Sequence, residues 1–377
     1  MKKIKSLASL LVAGSVLFSS MGNAFACTAI LVSDINGNFY KGRTLEFSSL
    51  IPTSLTYMPK GTKIESASPS GQTGITFSIK YPILGMAMPA GPNVKQVSFL
   101  EGVNDQGLTF SANYFNEAST LPAGSETSKA LSSLDFGSWI VGSFRTVPEV
   151  KSALQNNDAE IWQPLLPSVG NVPLPLHYAI NDKSGAAIII EFQHGKVNVF
   201  DNPVGVMTNG PEFPWHLTNL NNYTQSNIDK NTGQLGSLKL KTEDSGIALA
   251  PLPSAETATG RFVKAAFYAN YVRKGKTPDD EISTLGHLMN NFDRPSGLTV
   301  DLDTVSDGSR SKSISSEIST WTVMNDLSRN LFYVRSVNAL NWAVVDIEKL
   351  KDVTKVKTIS TYDVDRAGAD AFNLFYK

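Results

Sequence analysis

One cysteine in 377 residues is the scarcest feature of this chain. It excludes an intramolecular disulfide and any zinc site built on paired cysteines. The histidines, His177, His194, His216 and His287, show no metal-ligand spacing such as His-Glu-x-x-His, so no metal is expected. Charge of one sign is also missing: 33 Lys and Arg are scattered among 34 Asp and Glu. That balance leaves no basic footprint for a nucleic acid, and no nucleic-acid partner is expected. No P-loop, Gly-x-Gly-x-x-Gly or Gly-x-Ser-x-Gly occurs, so neither a nucleotide cofactor nor a serine elbow is indicated, and no cofactor is expected. The one Ser-x-x-Lys, Ser309 to Lys312, sits in the polar run Ser306 to Ser316 without Ser-Asp-Asn or Lys-Thr-Gly partners.

Long apolar runs are absent after the N-terminus, where none approaches the 18 or so residues of a membrane span. The N-terminus itself reads Met1-Lys2-Lys3-Ile4-Lys5, then an apolar run from Leu7 to Phe18, then Ala24-Phe25-Ala26 before Cys27. Charged, apolar and small residues in that order predict a secretory signal over 1–26, with a mature chain that begins at Cys27. The protein is expected to be exported, to the periplasm or the outside, with no stable membrane insertion. Removing the first 26 residues, among them Lys2, Lys3 and Lys5, leaves 351 and takes the net charge from −1 to −4. With 41% apolar residues and no Pro/Gly/Ser-rich linker, residues 27–377 read as a single domain.

A lone cysteine placed at random would fall on the first mature position about once in 350 times. Three readings of Cys27 compete: a nucleophile, a lipid-attachment site and an inert thiol. Bacterial lipid attachment prefers Leu at −3 and a small residue at −2, whereas this chain has Ala24 and Phe25. A lipid-anchored binding protein is therefore the non-enzyme alternative.

Thr28-Ala29-Ile30-Leu31-Val32 is rich in strand formers, Asn36-Gly37 marks a turn, and Phe39 to Thr44 returns. An opening hairpin of this kind brings Arg43 and Glu46 back beside Cys27. Further strands are expected at 74–81, 98–101, 108–114, 177–180, 187–192, 197–200, 321–326 and 331–334. Helical periodicity covers 136–141, 148–155, 260–272 and 280–290. Strands dominate with helices between them, which predicts a layered α+β fold. The polar stretches Ser119–Ser132 and Thr224–Glu243 read as surface loops or lids.

An N-terminal cysteine joins nucleophile and base in one residue. Its α-amine, with a pKa of about 7.7–8.0, takes the proton of a thiol whose pKa is about 8.5, and no histidine is needed. A guanidinium nearby favours the thiolate, and Arg43 is placed to supply it.

Cys27-Thr28 followed by Gly42-Arg43-Thr44-Leu45-Glu46 resembles the choloylglycine hydrolase and penicillin V acylase family, N-terminal-nucleophile enzymes that cleave linear amides. The resemblance continues through Glu101-Gly102-Val103-Asn104-Asp105-Gln106-Gly107-Leu108 to Asn113. It includes Val206-Met207-Thr208-Asn209, Trp215 to Leu220, Leu252-Pro253-Ser254, Gly260 to Phe267, Thr320 to Val323 and Leu331-Phe332-Tyr333. These blocks cover most of the mature chain in family order. The resemblance implies a four-layer αββα sandwich, with Cys27 as nucleophile and base and Arg43 as the charge that steadies the thiolate and orients substrate. It further implies an oxyanion donor in the Asn209 side chain, another in the Asn113 backbone, and a second active-site arginine in Arg261. Glu46 stands where the family usually has Asp holding the α-amine. The implied substrate is a small-molecule amide: penicillin V or another N-acyl amide such as an N-acyl homoserine lactone, with a conjugated bile salt as the alternative. A homotetramer is the implied assembly.

Overall fold

The structure, a computed structural model, describes residues 25–48, 52–89, 97–122, 124, 127–166, 172–224, 232–242, 245–304, 310–368 and 372–376, with the backbone alone for residue 25 and for 301–304 and 310–315. The leader through Ala24 and Ser309 of the Ser-x-x-Lys lie outside these residues.

The opening strand Phe25–Ser33 pairs antiparallel with the return strand Phe39–Phe47, Cys27 opposite Leu45 and Ala29 opposite Arg43. The turn closes because the Asp34 carboxylate accepts from the backbone N–H groups of Asn36 (2.8 Å) and Asn38 (2.9 Å) and from the Tyr40 hydroxyl (3.0 Å). Gly37 supplies the left-handed residue there, with φ of 82°.

This hairpin sits in a seven-stranded sheet. Val206–Met207 flanks the opening strand, and Arg310–Asp326, Leu331–Ser336 and Ala343–Asp346 follow the return strand. Thr299–Thr304 pairs with the long Arg310–Asp326 strand. The second sheet has eight strands, in the order Lys196–Asp201, Ala187–Gln193, Leu176–Asn181, Thr109–Tyr114, Val97–Asn104, Ile83–Pro89, Ser54–Met58 and Lys357–Ser360.

Strand alternation sends Cys27, Leu31 and Leu45 to the space between the sheets, where they join Phe99, Val103 and Phe110 of the second sheet. The opposite face carries Ile30, Val32 and Tyr40, which pack with Phe262 and Ala265 of helix Ala258–Tyr271 and Leu285 and Met289 of helix Pro278–Asn290. Helix Phe136–Ser143 packs against Val97–Asn104 of the second sheet. Helix, sheet, sheet and helix make a four-layer αββα sandwich. Gly42 lets the helix approach: an added Cβ would meet Met289 Sδ at 2.5 Å and Leu285 Cδ1 at 3.1 Å.

Several strands escape the sequence pattern. Ser54–Met58 and Ile83–Pro89 are buried on both faces, which removes the alternation that marks a half-buried strand. The expected loop Ser119–Ser132 ends in a buried strand, Ala130–Ser132, paired with Glu160–Trp162. The expected loop Thr224–Glu243 contains an exposed hairpin, Thr232–Leu235 with Leu238–Lys241.

Candidate active site

Cys27 is 1% exposed, with its sulfur in the space between the sheets. Arg43 lies on the same face, one diagonal step away, because residues two apart on a strand share a face. Its Nη2 donates to Cys27 Sγ at 3.6 Å. The guanidinium is held by the Leu100 carbonyl (2.6 Å from Nη1), by the Ala112 carbonyl and by the Trp321 ring, whose centroid lies 5.0 Å away. Both Nη atoms are anchored on protein carbonyls, and Arg43 presents to the sulfur its charge together with one Nη2 N–H.

Val206–Met207 places Met207 opposite Ala29, and continuation of the same antiparallel track carries Asn209 to the level of Cys27. Asn209 Oδ1 accepts the Cys27 backbone N–H at 3.0 Å and Arg261 Nη2 at 2.7 Å, while its Nδ2 donates to the Tyr114 carbonyl at 2.8 Å. Two donors on one side and a carbonyl on the other settle which end of the amide is oxygen. One N–H of Nδ2 is used by Tyr114; an amide nitrogen carries two.

Arg261 comes from the first turn of helix Ala258–Tyr271, whose start is capped by the Thr257 hydroxyl, 3.2 Å from the Gly260 N–H. It also bonds the Cys27 carbonyl and the Thr28 hydroxyl, the latter at 2.8 Å. Arg261 therefore grips the backbone of the cysteine, and Arg43 faces its sulfur.

Glu46 pairs with Ala26, on the face opposite the Cys27 side chain. It is fully buried, and the Ser319 hydroxyl donates to it at 3.2 Å. Burial pushes its carboxyl up, with Arg261 and Arg294 opposing. Asn113 stands one step away: its Nδ2 donates to the Thr208 carbonyl at 2.8 Å, steadying the residue before Asn209.

Cys27, Arg43, Asn209 and Arg261 are thus directly linked, with Glu46 and Asn113 flanking. Burial pushes the Cys27 thiol up, Arg43 pulls it down, Glu46 pushes it up and Arg261 pulls it down. Phe25 and Ala26 continue the opening strand past the cysteine, opposite Phe47 and Glu46. The Cys27 nitrogen is there an amide, which is no base.

Sequence reasoning missed two histidines that hold the Asn209 segment. His216 Nε2 bonds the Asn209 carbonyl at 2.9 Å; His177 bridges Glu191 and the Thr208 carbonyl, at 3.2 Å from each. Burial pulls His216 down to about 4, so it is neutral and its Nε2 carries the proton that the carbonyl accepts. Trp215-His216 stood among the resembling blocks, but no pattern tied it to Asn209. Among the described residues no cluster of His, Cys, Asp and Glu could hold a metal ion.

The model of the linear amide C-N hydrolases, choloylglycine hydrolase family, matches residues 27–357. A bile salt hydrolase/transferase of Clostridium perfringens is 27% identical over 336 residues, covering 88% of this chain and 96% of that protein. A penicillin V acylase of Pectobacterium atrosepticum is 25% identical over 319 residues, covering 79% of this chain and 78% of that one. The crystal structure of a mutant conjugated bile acid hydrolase from Clostridium perfringens superposes with a TM-score of 0.73 at 25% identity, covering 89% of this chain and 96% of that one.

Proposed function

Because the chain belongs to the choloylglycine hydrolase family of linear amide C-N hydrolases, we propose that it cleaves its amide through a thioester on Cys27 once residues 1–26 are removed on export. The observation that carries this reading is the double hold on one residue: sulfur against Arg43 at 3.6 Å, nitrogen on Asn209 at 3.0 Å. Removal of Ala26 turns that nitrogen into an amine with a lone pair.

The thiol proton passes to this amine, and the sulfur attacks the substrate carbonyl. In this reading the second N–H of Asn209 Nδ2 donates to the resulting oxyanion, a contribution worth about 2.7–4 kcal/mol in such a place. Arg261 and the Cys27 N–H together hold the Asn209 oxygen, which fixes the orientation of the amide and of its nitrogen. As the C–N bond breaks, the ammonium returns its proton to the leaving amine. Water, deprotonated by the same α-amine, cleaves the thioester, releases the acid and restores the thiol.

The leading substrates are penicillin V-like and other N-acyl amides, including N-acyl homoserine lactones. An exported enzyme meets amides outside the cell, which supports this order. Conjugated bile salts are the second reading, supported by the Clostridium perfringens relative. Amine release from penicillin V, glycine- and taurine-conjugated bile salts and N-acyl homoserine lactones tests both. Activity on one class, lost by about 10⁴-fold or more in Cys27→Ala, is expected; full activity in Cys27→Ala ends the proposal. The mass of the mature N-terminus separates this reading from lipid anchoring, because a diacylglycerol adduct blocks both amine and thiol.

The proposal includes a homotetramer, supported by Leu235 and Leu238, which are 68% and 60% exposed on the Thr232–Lys241 hairpin and offer apolar surface to a second copy. A monomer mass by light scattering would remove that part.

A further inference from the structure

Behind Arg43 the two sheets enclose charges that none of these steps uses. Lys41 precedes Arg43 by two positions, so it shares the inter-sheet face, and it is fully buried. Its ammonium bonds Glu101 Oε1 and the Ser111 hydroxyl. That hydroxyl donates in turn to Glu101 Oε2 at 2.6 Å, and the same oxygen lies 3.6 Å from Arg43 Nη1. Glu101 and Ser111 come from Val97–Asn104 and Thr109–Tyr114, so the group spans both sheets.

A buried ammonium is costly, and an apolar side chain of similar size would fill the space with less penalty. Charge bookkeeping supplies a reason for it. Lys41 and Arg43 are two cations against one carboxylate, which leaves the group one negative charge short. The Cys27 sulfur, as thiolate, completes it. Without Lys41, Glu101 would neutralise Arg43 by itself, and a thiolate would be a second anion on one guanidinium.

We propose that Lys41 is a positioning residue for the reaction: by taking up the charge of Glu101 it reserves the Arg43 guanidinium for the Cys27 thiolate. The inference rests on the reading of Cys27 as nucleophile. Burial and Arg43 pull Lys41 down to about 8 while Glu101 opposes them, so the ammonium persists at neutral pH. The other charges acting on the sulfur, Glu46 and Arg261, reach it from the helix side of the hairpin, and Arg294 faces Glu46 there. Changes at Lys41 leave these three in place.

The test is the pH dependence of iodoacetamide alkylation of Cys27, on the full chain exported by its producing host and recovered with Cys27 first. Lys41→Met is expected to reduce thiol acidity by about tenfold or more. Lys41→Met/Glu101→Gln, which removes the carboxylate as well, is expected to return it to within about threefold of the parent. A merely structural role would not produce recovery when a second buried polar group is deleted. Circular dichroism checks folding; if Lys41→Met does not fold, Lys41→Gln removes the charge while keeping donors for Glu101 and Ser111, and the same loss of acidity is expected. A neutral variant that titrates like the parent, or a double variant that titrates like the single, overturns the proposal. Alkylation reads the thiol whether or not any amide is cleaved, so a shifted thiol in a protein without hydrolytic activity would count against the nucleophile reading alone.

Discussion

Arg43 and Arg261 reach one cysteine from opposite faces of the same hairpin, and the two faces are built differently. On the inter-sheet face Arg43 sits among carbonyls, a tryptophan ring and a charged group, and it meets the sulfur. On the helix face Arg261 ties Asn209, Thr28 and the Cys27 carbonyl into one unit beside Glu46. The first face meets the sulfur; the second fixes the backbone on either side of it. A strand makes this division possible because alternate residues point to opposite sides while the shared backbone stays rigid.

The largest effect is expected from breaking the helix face. Arg261→Met leaves buried Glu46 with only the Arg294 charge opposing its burial and Asn209 Oδ1 with the Cys27 N–H as its one remaining donor, a loss of about 3–5 kcal/mol in stability. Urea unfolding measures it, and a loss below about 1 kcal/mol would mean that Arg261 does not hold this side together. Asn209→Ala addresses the junction of the two faces. It is expected to lower kcat by about 10²–10³-fold at unchanged thiol acidity. If the alkylation profile moved and kcat did not, Asn209 would belong to the sulfur side.

His216 sharpens the contrast through pH. Its folded value is about 4 against an ordinary 6.5. Between those values the unfolded chain binds a proton that the folded protein refuses, so stability is complete above about 6.5 and falls as pH drops toward 4. The loss reaches about 3 kcal/mol. His216→Gln keeps a donor for the Asn209 carbonyl and is expected to flatten that part of the curve in urea melts at pH 4.5 and 7. An unaltered slope would place its origin elsewhere.

The smallest effect separates charge from geometry at the sulfur. Arg43→Lys keeps the cation but cannot serve both carbonyls, so about 1–2 kcal/mol of stability should be lost while thiol acidity holds within about threefold. A large fall in acidity would show that the planar guanidinium, and not its charge, acts on Cys27.

The opening hairpin was legible because its signals are local: an Asx turn with glycine, β-branched strands and a cysteine at the edge of a leader-like segment. Helices at 136–143, 147–155, 258–271 and 278–290 were legible through helical periodicity, although only 147–155 and 278–290 bury a single face. Ser54–Met58 and Ile83–Pro89 were not, since burial on both faces erases alternation. Cys27, Arg43 and Glu46 were brought together by the hairpin pattern alone, whereas Asn113, Asn209 and Arg261 were candidates only through the resemblance, and where they meet Cys27 was not legible. Asn113 turned out to support the Thr208 carbonyl with its side chain, and His177 and His216 carried no spacing that pointed to Asn209.

By itself, then, the sequence determined that a lone cysteine follows a charged, apolar and small-residue segment, that an arginine on the paired strand shares its sheet face, and that the core is layered α+β. Those properties depend on neighbours within a few residues. Only the tertiary structure decided that Lys41 meets Glu101 and Ser111, that Arg261 reaches Cys27 across 234 positions, and that Asn209 stands between them. Such contacts follow from sheet order and strand register, which are set by how the whole core packs.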